Sequence, residues 1–273
     1  MSASARPTGA WEPFTPRGVA AFASARLGRL LLVQFIVALL AATAVVWFVY
    51  NGYFPAVGTA IQKLPATGEI RSGRLDWHGH SPELLGDGRF LAFDVDLDHS
   101  GQIGSAADVQ IEFGRETVRV FSLLGYWEWN YPPDYVIAFN RNDLEPLWGA
   151  WAMELLLAAG GAVTIGLLLS WSLLATIYFV PVWVLGFFAN CDLNFRQSWR
   201  LVGAALMPGA LLMAAAILFY GIGFLNLVSF GFTFGAHFLI GWIYLFVSLL
   251  FVPQAPTTAS KGNPFSHSRK ECE

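Results

Sequence analysis

"LWGAWAMELLLAAGGAVTIGLLLSWSLLATIYFVPVWVLGFFAN" fills residues 147–190 with a single charge, Glu154. As one helix it would rise roughly 66 Å, about twice the hydrocarbon thickness of a bilayer. The sequence predicts two spans instead, near 147–169 and 173–190, parted at Ser170, Trp171 and Ser172. Upstream, "LLLVQFIVALLAATAVVWFVY" (30–50) is a charge-free run of one bilayer's length. Downstream, "LVGAALMPGALLMAAAILFYGIGFLNLVSFGFTFGAHFLIGWIYLFVSLLFV" (201–252) is again too long for one span. Gly221, Gly223, Asn226 and Gly231 weaken its middle and suggest helices near 201–222 and 231–252. The expected fold is an α-helical polytopic membrane protein of about five transmembrane helices. A small, mostly β domain is inserted between helix 1 and helix 2.

Composition agrees. The chain is 55% hydrophobic and 13% charged, with mean hydropathy +0.52, where soluble domains carry about 25% charged residues. The first run starts too late, and is too long, for a cleaved signal peptide. Arg6, Arg17, Arg26 and Arg29 precede it against Glu12 alone. The positive-inside rule therefore makes residues 1–29 a cytoplasmic segment with a short basic amphipathic stretch. Residues 51–145 are then extracytoplasmic. They hold 7 Lys/Arg and 14 Asp/Glu, and the rest of the chain 9 and 5.

Beyond helix 2 the charges conflict with the count. Arg196 and Arg200 in "NCDLNFRQSWR", and Lys261, Arg269 and Lys270 in the tail, have cytoplasmic character. Five spans from an inside N-terminus put both segments outside. Either one segment is re-entrant or the charge rule fails, and the side of the C-terminus stays open. Residues 253–273 read as a disordered tail. Cys191 and Cys272 lie outside the middle domain, which therefore has no internal disulfide.

Within 51–145, apolar and polar residues alternate with the period of a half-buried strand. Phe93, Val95 and Leu97 face one way, and Asp94, Asp96 and Asp98 the other, onto a wet face. Val109, Ile111 and Phe113 share a face, as do Val118 and Val120. In "RLDWHGH" (74–80), Leu75 and Trp77 oppose Asp76, His78 and His80. Two imidazoles and a carboxylate at this spacing suit Zn or Fe. The alternation already accounts for them as solvated positions, so neither metal nor cofactor is assigned. A calcium site on Asp94, Asp96 and Asp98 is disfavoured, because a straight strand spaces the carboxylates about 6–7 Å apart. "GYWEWNYPPDY" (125–135) concentrates Tyr126, Trp127, Trp129, Tyr131 and Tyr135. These rings suit either a belt at the headgroup level or a sugar-stacking surface.

No motif for zinc hydrolysis, a nucleophile elbow, phosphate binding or thiol redox chemistry occurs. His99 and Ser100 are adjacent but lack a third partner. The chain therefore reads as a non-enzyme. Internal repeats typical of carriers are missing, and no basic, aromatic-interleaved patch invites nucleic acid. Gln34, Glu154 and His237 are the notable polar groups of the spans. Glu154 and His237 are expected to face the bundle interior and, if they share a depth, to pair. Gly231 and Gly235 form a Gly-x-x-x-Gly pair suited to helix packing or to a homo-oligomer.

Three stretches carry a family resemblance: "FTPRGVAAFASARLGRLLL", "LPATGEIRSGRLDW" with "FLAFDVDLD" and "ADVQIEFGRETVRV", and "LNFRQSWRLVGAALMPGALL". Through them the chain resembles a bacterial membrane-protein family of unknown function that includes the maltodextrin-utilisation membrane protein. That family is similar to the Yip-type (Rab-interacting) five-helix superfamily. The resemblance implies architecture and a membrane-organising or transport-associated role, with no catalytic residues to transfer. The expected function is an inner-membrane protein that organises or assists other envelope or transport components, with the lipid bilayer and another envelope protein as partners. The alternatives are a sensor or uptake accessory for a carbohydrate or other solute, and a membrane-embedded enzyme using Glu154 or His237.

Overall fold

The structure, a computed structural model, describes residues 11–254. The N-terminal ten residues and the expected disordered tail from 255 onward, with Cys272, lie outside the described residues. Mixed helix and sheet are present. Among the described residues, four rather than five helical segments are long and apolar enough to cross a membrane: Leu27–Lys63, Arg141–Phe188, Phe195–Gly221 and Leu227–Leu249.

The difference lies in residues 147–190. Helix α4 (Arg141–Phe188) is continuous for 48 residues, so the expected break at Ser170–Ser172 is absent. The polar residues there do not disrupt the helix, because it satisfies them itself. Ser170 Oγ donates to Leu167 O at 2.9 Å, Ser172 Oγ to Leu168 O at 2.8 Å and Thr176 Oγ1 to Ser172 O at 2.8 Å. Such back-bonding hides a hydroxyl without costing the helix a backbone partner. The start of α4 is set by Asn140, whose Oδ1 accepts from Asp143 N at 3.0 Å as an N-cap. The break in 201–252 does occur. Between α6 (Met207–Gly221) and α7 (Leu227–Leu249), Gly223 adopts φ +87°, and Asn226 Oδ1 accepts from Ser229 N to start α7. That positive φ is a conformation that residues with a Cβ rarely adopt, which favours glycine at 223.

The chain divides into two compact units. The first comprises residues up to Val37, Leu167–Ala210, and those from Ala236 onward. It contains α1 (Pro16–Phe22), started by Thr15 Oγ1 accepting from Gly18 N, and α5 (Phe195–Ala205), started by a reciprocal Asn194–Gln197 capping box. Gln34, within α2 (Leu27–Gly52), is buried and donates from Nε2 to Gly203 O at 3.0 Å. Gly203 lets the amide approach. Gly209 serves α7 in the same way: a Cβ there would lie 2.9 Å from His237 O.

The second unit comprises Ala38–Gly166 and Leu211–Gly235. Its non-helical part is a β domain, but residues 51–145 are not all strand. They open with helix α3 (Phe54–Lys63). Strands β1 (Glu69–Arg71), β2 (Arg74–Asp76) and β8 (Ile137–Ala138) form a three-stranded antiparallel sheet in the order β2-β1-β8. Strands β3 (Glu83–Gly86), β4 (Leu91–Val95), β5 (Val109–Phe113), β6 (Thr117–Ser122) and β7 (Gly125–Asn130) form a five-stranded sheet in sequence order. All its pairs are antiparallel except β4 with β5. The core joins Ala60 and Leu64 of α3, Ile70 and Leu75 of the small sheet, and Leu85 and Val95 of the large one, with Tyr131 and Phe139.

The β domain meets the helical part of its unit through rings. Phe90 packs on Phe48 and Tyr220 with centroids 5.0 and 4.8 Å apart, and Tyr220 stacks on Phe230 at 4.8 Å. The Tyr220 hydroxyl donates to the Asp108 carboxylate, and Arg89 Nη2 donates to Leu225 O at 3.3 Å.

Leu85 is fully buried, whereas Leu124, at a hairpin tip, is 84% exposed. Leu85→Ala should therefore destabilise the full chain by about 2–5 kcal/mol. Leu124→Ala should stay within about 0.5 kcal/mol of the parent. Denaturant unfolding followed by tryptophan fluorescence checks both.

Candidate functional site

The alternation in β4, β5 and β6 sorts residues onto two faces, and the register brings the polar ones into a row. Asp94 pairs with Glu112, Glu112 with Arg119, and Arg119 with Glu128. The face expected to be wet is not. Asp94, Asp96 and Glu112 are 0%, 2% and 4% exposed, and only Asp98 is solvated. The cause is the parallel β4–β5 pair, which cannot be joined by a tight turn and needs a crossover. That crossover, residues 96–108, lies over the acidic face. Gln110 Nε2 bridges Asp94 Oδ1 at 2.9 Å and Ile103 O at 3.4 Å, and Ser105 N donates to Gln110 Oε1 at 3.3 Å.

Each buried carboxylate has a different environment. Asp96 Oδ2 accepts from Ser100 Oγ at 2.8 Å and Gly101 N at 3.0 Å. Burial works to raise its pKa, but these bonds together outweigh burial and hold it below the usual value. Asp94 has one partnered oxygen, while its Oδ2 is buried without a partner. Burial pushes its carboxyl up to about 6; the Gln110 bond opposes this, and Glu112 and Asp96 reinforce it. Glu112 Oε1 lies 2.5 Å from His99 Nδ1 and 3.9 Å from Arg119 Nη1. His99 Nε2 lies 2.9 Å from Thr117 Oγ1.

Glu112, His99 and Thr117 therefore form a carboxylate–imidazole–hydroxyl chain, the third partner that His99 lacks in the linear sequence. Only the β5–β6 pairing and the left-handed His99 backbone (φ +51°) bring the three together. Arg119 Nε also lies 3.3 Å from Glu128 Oε2, which carries the polar row on to β7. The geometry suits a network that holds the sheet's polar face together.

The residues singled out from sequence do not converge. Strand β2 ends at Asp76, and Asp76, His78 and His80 are exposed. His78 Nε2 lies 3.7 Å from Asp76 Oδ1, while His80 contributes its carbonyl to Trp77 Nε1 at 2.8 Å. Among the described residues no group of three His, Cys, Asp or Glu side chains is placed to hold a metal ion. Glu154 is exposed on α4 rather than turned inward, because Leu156 takes the buried side of that turn. It belongs to the second unit, and the half-buried His237 to the first. Gly231 and Gly235 are exposed, with nothing within 4 Å of where a Cβ would stand, so they pack no helix of this chain.

The aromatic cluster divides. Tyr131 is a core residue whose hydroxyl donates to Gly114 O at 3.1 Å. Tyr126, Trp127, Trp129 and Tyr135 are exposed. All six residues of β7 are exposed, and β7 ends the sheet. The opposite edge, β3, is covered by α3: Lys63 Nζ donates to Leu84 O at 2.9 Å, and a Cβ on Gly86 would strike Ala56 O at 2.5 Å. Trp127 and Trp129 pair with Val120 and Val118, so the apolar face of the core runs out to an uncovered aromatic edge. Leu123 and Leu124, in the turn that leads into β7, are exposed as well.

No family model, no curated protein and no solved structure matches this chain.

The sign of the pH response follows from the two buried aspartates. An unfolded Asp titrates near 3.8, and folded Asp94 near 6. The folded chain therefore holds the extra proton between those values. The stability it contributes is complete below the unfolded value and is lost as pH rises through about 6. Asp96 acts oppositely: its contribution is present above the unfolded value and fades as pH falls below it. Asp94→Asn should flatten the decline of the thermal midpoint between about pH 5 and about pH 7. An undiminished decline in the variant would mean that another group causes it.

Proposed function

We propose that this chain is a non-enzymatic, four-span protein of the bacterial inner membrane that docks another envelope protein through the open edge of its β domain. The observation that carries the docking is strand β7, exposed at every residue and edged by Tyr126, Trp127 and Trp129. An uncovered strand offers unpaired N–H and C=O groups as a template for a further strand, and natural sheets ordinarily protect such edges. Here one edge is covered and the other is open and aromatic, a composition typical of interface hot spots.

Four crossings also remove the conflict in the charges. With the N-terminus inside, the loop before α5 and the C-terminus both return to the cytoplasm. Among the described residues the first unit carries Arg17, Arg26, Arg29, Arg196 and Arg200 against Glu12 and Asp192. The second unit carries the acidic β domain. This asymmetry supports a cytoplasmic loop before α5 and an extracytoplasmic β domain. A reporter fused after Glu116 should read as extracytoplasmic, and one fused after Gln254 as cytoplasmic. An extracytoplasmic reading at Gln254 would restore an odd number of crossings.

A second reading has its own support. Trp127 and Trp129 lie two residues apart on one strand face, a spacing on which a sugar ring could stack. Photocrosslinkers placed at Tyr126 and Trp129 in native membranes separate the cases. The docking reading expects a discrete protein adduct from both positions and none from His80. Lipid adducts alone would make the rings an interfacial belt and overturn docking. Saturable oligosaccharide binding, lost in a Trp127→Ala, Trp129→Ala chain, would favour the solute sensor.

A further inference from the structure

A groove of about 480 Å³ in the first unit is lined by Leu27, Phe179, Phe195, Arg196, Trp199 and Arg200. Its walls are apolar and its charged groups are two guanidiniums. Helix α5 is two-faced: Ser198, Leu201, Val202 and Ala205 are buried, while Phe195 and Arg196 are exposed. The groove is built rather than incidental. Phe195 packs on Phe179 and Trp183 with centroids 5.9 and 4.8 Å apart. Trp199 Nε1 donates to Thr176 Oγ1 at 3.1 Å, and Arg200 Nη1 donates to Ala25 O at 2.8 Å. Among the described residues, neither Arg196 nor Arg200 forms an ion pair. Arg26 adjoins Leu27 in the chain and adds a further exposed cation.

We infer that this groove binds the headgroup of an anionic glycerophospholipid, the guanidiniums of Arg196 and Arg200 holding the phosphate and the aromatic walls receiving the glycerol and the first methylenes. Guanidinium pairs phosphate through two parallel N–H bonds. The N-terminus of α5 adds the positive end of a helix dipole. Basic pockets between membrane helices on the cytoplasmic side suit anionic lipid headgroups. A zwitterionic headgroup would bring its ammonium towards unneutralised arginines, which sets the expected selectivity. This inference rests on the reading of the chain as a membrane protein.

The test uses the full chain reconstituted in bilayers of equal phosphatidylglycerol and phosphatidylcholine, with retained lipid identified by native mass spectrometry. Retention of phosphatidylglycerol several-fold over phosphatidylcholine is expected. It should be lost in Arg196→Gln and partly kept in Arg196→Lys. Arg196 is exposed, so an unchanged thermal midpoint should show that both variants fold. Equal retention of the two lipids, or selectivity untouched by Arg196→Gln, overturns the inference while leaving the membrane reading intact. Full displacement of the lipid by inorganic phosphate also overturns it, because the groove would then take a soluble anion. Release of the chain from membranes by alkaline carbonate defeats the membrane reading itself, and the inference with it.

Discussion

The parallel pairing of β4 with β5 is the constraint on which the β domain depends. Every other pair in the large sheet is antiparallel and joined by a short turn or loop, but a parallel pair obliges the chain to travel the length of the strand before it re-enters. Here that return is residues 96–108. The crossover lies on the sheet face that carries Asp94 and Glu112 and shuts it from water. It also delivers Asp108 to the Tyr220 hydroxyl, with Asp108 N held by Arg89 O at 3.1 Å. One topological choice thus creates the buried carboxylates and the polar tie between the β domain and α6.

Burying carboxylates is costly unless their oxygens are bonded. The domain meets that requirement unevenly. Asp96 is bonded by its own loop, Glu112 is hydrogen-bonded to His99 and lies 3.9 Å from Arg119, and Asp94 is left with a buried oxygen that a proton would satisfy. The network therefore responds to pH in opposite directions at Asp94 and at Asp96, two residues further along the chain.

The helices solve the same problem by other means. Polar side chains in the apolar segments are matched locally: serine and threonine hydroxyls bond their own helix, and Gln34 bonds the carbonyl of a glycine that makes room for it. A Cβ at 209 would lie 2.9 Å from a backbone oxygen, closer than real Cβ atoms stand, and one at 203 would lie 3.2 Å from the Gln34 amide, which would have to shift. The glycines at 231 and 235 meet no such neighbour, so the same residue type does different work there.

The long apolar segments, the placement of a strand-rich domain after the first of them, and the residues of each strand that share a face were legible in the order of residues. These follow from local periodicity and hydrophobicity, which depend on near neighbours alone. That residues 141–188 form one helix was not legible there, because hydroxyl back-bonding is invisible in composition. The tertiary structure decided that Tyr131 is core while Tyr126, Trp127 and Trp129 line an open edge, since strand order rather than residue type determines what is covered. The burial of Asp94, Asp96 and Glu112, and the meeting of Glu112, His99 and Thr117, required a register and a crossover. Alternation reports which residues lie together on a face, whereas solvent access depends on what the rest of the chain lays over that face.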